Sequence, residues 1–105
     1  MKTIEDWRRR IDEIDLRLVE LLNERSQCAL EIGKLKRVDG QPVYQPERER
    51  KVLDAVENAS RGPLSPAAVR RLFERILDEA RSVERVVMQE HEKDAAAKPS
   101  KEQRK

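Results

Sequence analysis

Apolar residues fall at Ile4, Trp7, Ile11, Ile14, Leu18 and Leu21, then at Cys28, Ile32 and Leu35. The steps alternate three and four, except that Arg25 stands where the next apolar residue is due. Such spacing predicts one amphipathic helix with a narrow apolar seam, from about Ile4 to Arg37. Thr3 is placed to cap its start, with Asp6 three residues on. The stretch "VDGQPVYQP" breaks it. Pro46 opens a second helix at the first-turn position that tolerates proline. Val52, Leu53, Val56 and Ala59 form its stripe, and "SRGPLSP" ends it, with Gly62 in the C′ role. Ser65 and Pro66 open a third helix carrying Val69, Leu72, Phe73, Ile76, Leu77, Ala80, Val83 and Val87. From Gln89 onward, "QEHEKDAAAKPSKEQRK" has charge and alanine but no stripe, so a frayed end and a disordered tail are expected. The pattern therefore predicts an all-α fold of three helices, with a domain over 1–88 and a tail over 89–105.

The first helix is too long for its own globule. About 34 residues at ~1.5 Å each span ~50 Å, whereas a compact chain of this size is roughly 35 Å across. Its stripe is apolar almost end to end, so the protruding part needs a partner. A second copy is the simplest one, giving an intertwined two-fold homodimer.

Composition narrows the chemistry. Of 105 residues, 42% are charged and 3% aromatic, a balance suited to solvated helices. The formal net charge of +2 comes from mixed signs, which does not point to nucleic acid. One cysteine forms no internal disulfide, and the single histidine, His91, lies far along the chain. A His/Cys metal site within one chain and a Ser-His-Asp triad are accordingly not expected. No run approaches the ~20 apolar residues of a membrane span. "MKTIEDWRRR" lacks the apolar core of a signal peptide, so a cytoplasmic protein is expected.

Arg25 has a counterpart: the third helix's stripe reaches Glu84 where an apolar residue is due. The two form a register-setting ion pair on one reading, or snorkel to water on another. Other cations favour a third. Lys36 lies eleven residues after Arg25, ~16 Å along the helix and ~20° round, on the same face. Arg48 and Glu49 lie in the first turn of helix two, where free N–H groups favour an anion. Arg8, ~25 Å before Arg25 and ~100° round, reaches the same small ligand only from the other copy of a dimer.

The segments "RRRIDEIDLRLVELLNERSQCALEIGKLK", "GQPVYQPERERKVL" and "GPLSPAAVRRLFERI" closely resemble the all-helical chorismate mutases. The resemblance covers about residues 5–87. It implies an intertwined dimer that converts chorismate to prephenate by a [3,3] rearrangement, without cofactor or metal. It implies that Arg25 and Arg48, joined by Arg8 from the partner, hold the substrate carboxylates. Lys36 donates to the ether oxygen of the breaking bond, Glu49 accepts from the ring hydroxyl, and Glu84 is directed at the ether oxygen. The chemistry wants such a set: arginine forks fix a folded dianion, and a preorganised cation meets the charge that grows on the ether oxygen. Two positions depart from the familiar pattern. Gln45 stands where Asp is common, and Ala80 where a Ser contacts a carboxylate, a loss of ~0.5–1.5 kcal/mol.

An isochorismate pyruvate-lyase of the same fold is the nearest alternative, and a catalytically silent helical dimerisation module another. The pattern ER…K…RE with Glu84 favours the mutase. Arg9, Arg10, Arg70 and Arg71 read as solvated faces, Cys28 as a seam residue, and Trp7 and Phe73 as packing.

Overall fold

The computed structural model describes residues 1–42 and 44–103, with side chains described up to Glu90. Three helices follow one another: α1 (Ile4–Asp39), α2 (Pro46–Ala59) and α3 (Pro66–Gln103). No strand occurs among the described residues. The tail expected over 89–105 includes the last turns of α3, and its side chains beyond Glu90 lie outside the described residues.

Local chemistry sets the helix ends. Thr3 and Asp6 form a capping box: the Asp6 N–H donates to Thr3 Oγ1 at 3.1 Å and the Thr3 N–H to Asp6 Oδ2 at 2.9 Å. The Thr3 backbone N–H on the carboxylate, helped by the Thr3 hydroxyl, holds the Asp6 carboxyl below its usual range. The other end of α1 is a Schellman turn. Gly40 adopts φ 72°, its N–H donates to the Arg37 carbonyl at 3.2 Å, and the Gln41 N–H donates to the Lys36 carbonyl at 2.8 Å. At α3 the Ala68 N–H donates to Ser65 Oγ at 3.1 Å, the expected cap. The end of α2 differs from expectation. Ser60, in extended conformation, terminates it, and the left-handed Gly62 (φ 84°) lies further along, inside the connection. The Ser60 hydroxyl donates to the Leu64 carbonyl at 2.7 Å and closes that turn locally, so no glycine is needed at the helix end itself.

Packing is centred on α3, which lies against α2 and, less extensively, against α1. Leu77 and Ala80 of α3 are the only buried hydrophobic residues among those described. Arg70 departs from the solvated role expected of it. It reaches from α3 to α2, bonding Asp54 at 3.0 Å and approaching Glu57 at 3.4 Å, and these partners raise its pKa. Arg9 and Arg10 make exposed pairs with Asp6 and Glu13 along α1.

The chain is elongated, 72 × 33 × 16 Å, with a radius of gyration of 19.5 Å, against ~13 Å for a compact chain of this length. The apolar stripe of α1 is left largely uncovered: Trp7, Ile11, Ile14, Leu18 and Leu21 are 42–54% exposed. No helix among the described residues is long and apolar enough to cross a membrane.

Candidate active site

A cavity of about 400 Å³ opens where the three helices converge, within the usual size of small-molecule sites. Arg25, Gly33 and Lys36 enter it from the second half of α1. Gln45, the N-cap of α2, and Arg48 and Glu49 of its first turn line it from the start of that helix. Ala80, Arg81 and Glu84 close it from α3, on the helix face that also buries Leu77.

All the candidate residues of the sequence line this one cavity except Arg8. Arg8 sits near the start of α1 and pairs with Glu5 at 3.0 Å, with both side chains largely exposed. Gln45 caps α2 by backbone position, without a side-chain capping bond, so its amide is left for the cavity. Cys28 is exposed and forms part of the wall. Among the described residues no ion pair joins Arg25 to Glu84, whose charged neighbours are Lys36, Glu49 and Arg81, so the register-setting reading of those two charges does not hold. Beside Gly33 nothing lies within 4 Å of where a Cβ would stand, and that stretch of wall is bare helix.

Arg81 belongs to this site, and sequence reading passed over it. Its guanidinium bonds both carboxylate oxygens of Glu49 and also Asp78. It lies 5.2 Å from the centre of the Tyr44 ring. The hydrogen bond it donates to Glu49 is the main reason that its pKa is raised. The signal for it was helical spacing: position 81 is four residues after Leu77 and three before Glu84, on the same face.

Glu84 is the perturbed acid of the cavity. Burial raises its pKa above the usual carboxylate range, which outweighs the opposing pull of the Lys36 ammonium. Glu49 raises it further and Arg81 lowers it. The pocket thus has cations for a small dianion and one carboxyl biased toward its neutral, hydrogen-donating form.

Together, fold and cavity define an all-helical domain built around a cavity lined by Arg25, Lys36, Arg48 and Arg81 with Glu49 and Glu84. Its residues 7–85 match the family described as chorismate mutase type II. The chain is 45% identical over 78 residues to the bifunctional chorismate mutase/prephenate dehydratase of Neisseria gonorrhoeae, covering 74% of this chain and 21% of that protein. Against the bifunctional protein of the same description from Pseudomonas aeruginosa the identity is 39% over 82 residues, covering 73% and 22%. A solved chorismate mutase from Thermus thermophilus superposes with a TM-score of 0.77 at 30% identity, over 80% of this chain and 96% of that one. The chain belongs to the type II chorismate mutase family. It spans about a fifth of the length of the two bifunctional relatives.

Proposed function

We propose that this chain is a chorismate mutase that works as an intertwined homodimer, with each active site completed by Arg8 of the second copy. The observation that carries the reading is the convergence of Arg25, Lys36, Arg48, Glu49 and Glu84 from three helices on one cavity. The reaction breaks the ether C–O bond and forms a C–C bond within one molecule, so it requires no general base, nucleophile or electron carrier. It needs a folded, diaxial substrate and a countercharge at the ether oxygen. Arg25 and Arg48, with the second copy's Arg8, hold the two carboxylates. Lys36 and the acid form of Glu84 donate to the ether oxygen as negative charge develops there. Glu49 accepts from the ring hydroxyl.

The dimer is supported by the uncovered stripe of α1. Burying a Leu or Ile side chain is worth ~1.5–3 kcal/mol, and several wait on that face. The catalytic domain is read as residues 1–88, in line with a family match that ends at 85, with 89–105 as a tail outside it. The working compartment is read as the cytoplasm.

Incubation with chorismate, with product identification, tests the reading. Formation of prephenate supports it. Release of pyruvate from isochorismate without mutase activity would establish the lyase, and turnover of neither substrate would leave a dimerisation module. Arg25, Lys36, Arg48 and Glu49 in this order along the chain, together with Glu84, favour the mutase, and the family match to residues 7–85 supports the same reading.

A further inference from the structure

We infer that Arg81 is a positioning residue that acts on the substrate only through Glu49, holding that carboxylate ready to receive the ring hydroxyl. The inference rests on the mutase reading and deepens it.

Three observations set the role of Arg81. Its guanidinium bonds both oxygens of Glu49 through one nitrogen, and Asp78 through the other. Two carboxylates therefore already balance its single charge. Second, the guanidinium lies against the Tyr44 ring, 5.2 Å from its centre, so the linker before α2 restrains it from another side. Third, Arg81 and Glu49 are both only partly exposed, with side chains 33% and 23% accessible, and they connect α3 to the first turn of α2 across the cavity.

A cation held in this way is poorly placed to bind a substrate carboxylate itself. To do so it would have to leave Glu49, and Glu49 would then lose its orientation as the ligand arrived. Each carboxylate oxygen carries two lone pairs, so Glu49 can accept from Arg81 and still accept a hydroxyl on the cavity side. The guanidinium thus fixes the direction in which the remaining lone pairs point. Ala80 beside it offers no hydroxyl that would compete for either group.

The test is a double-mutant cycle on the full-length protein with chorismate as substrate, using Glu49→Gln, Arg81→Leu and the double variant. Arg81→Leu is expected to lower kcat/KM by roughly tenfold, the usual effect of losing one charge-assisted contact. Glu49→Gln is expected to lower it at least as far, and the double variant no further than Glu49→Gln alone. With an analogue of chorismate carrying hydrogen in place of the ring hydroxyl, Arg81→Leu should turn over like wild type. Arg81→Lys, which keeps the charge but loses the fork, should recover only part of the loss. Multiplying losses in the double variant, or the same penalty with the deoxy analogue, would mean that Arg81 meets substrate directly and would overturn the inference. Full activity of Arg81→Leu would overturn it as well. If Arg81→Leu does not fold, Arg81→Gln takes its place in the cycle, with Tm recorded for every variant. A wild-type protein inactive on chorismate refutes the mutase reading itself, an outcome separate from all of these.

Discussion

Arg25 and Lys36 open onto one cavity from the same face of α1, about three turns apart, and the wall between them is bare at Gly33. The charge in the middle of the apolar stripe thus faces a polar pocket, while the stripe before it, from Trp7 to Leu21, is the face that the proposed dimer would cover. Function and stability then conflict at that one residue. Arg25→Leu restores the stripe and should lower kcat/KM by at least about 100-fold, as expected for loss of a group that holds charge in the transition state. Tm should hold or rise, with a stability gain on the order of 0.5–2 kcal/mol. Melting curves and steady-state rates on the same preparations check both halves, and a variant that melts early while keeping its rate would assign Arg25 to structure.

Gly33 presents a related conflict. Glycine within a helix costs ~0.5–1 kcal/mol relative to alanine, and nothing in the chain stands where its Cβ would be. If the vacant wall is there to admit substrate, Gly33→Ala should raise Tm by a few degrees and reduce kcat/KM by roughly tenfold, the effect of one surplus methyl in a fitted pocket. Improved stability with unchanged kinetics would show that the space serves no ligand.

A site shared between two copies, as proposed, would make Arg8 separable from Arg25. Sedimentation equilibrium should first show a dimer of the 12.3 kDa chain. Arg8→Ala and Arg25→Ala should each be nearly inactive. Mixed under subunit exchange, half of the dimers carry one site with both substitutions and one with neither, so about a quarter of wild-type activity should return. Demonstrated exchange without recovery would place both arginines in one chain's site, and a folded monomer would remove the shared site altogether.

How far the sequence went depended on whether a feature was periodic or local. The helix starts were legible because Thr3, Pro46, Ser65 and Pro66 act on the backbone within one turn. The cavity was legible because cations and carboxylates interrupting an apolar stripe are conspicuous, and the family resemblance gave them roles. Arg81 was not, since it follows Ala80 in a segment rich in charge and only the approach of α2 gives it Glu49 as a partner. Arg70 escaped for the same reason: Asp54 lies sixteen residues away, and no local pattern links the two. Gly62 illustrates the reverse error, a residue with the right conformation assigned to a helix end that Ser60 already terminates.

The last prediction concerns Glu84, where protonation decides the chemistry. In the proposed mechanism its acid form donates a hydrogen bond to the ether oxygen, whereas a carboxylate would repel the charge growing there. An ordinary Glu titrates near ~4.3 and is ionised at neutral pH. Here burial raises the pKa and is the largest effect, with Lys36 the main opposing one and Glu49 adding to the rise. A bound dianion would raise it again, since two further negative charges disfavour ionisation. The acid form therefore survives to higher pH than in a free side chain and is lost as pH rises through the raised pKa. Activity should follow it: kcat/KM falls on the alkaline side of the free protein's raised pKa, and kcat on the alkaline side of the higher pKa of the substrate complex. Gln at this position donates its N–H at every pH, so Glu84→Gln should match wild type at low pH and flatten the decline at high pH. Rates for both proteins across the pH range measure it. If the profiles superimpose, or Glu84→Gln is inactive throughout, Glu84 does not donate to the ether oxygen, and its place beside Lys36 is structural.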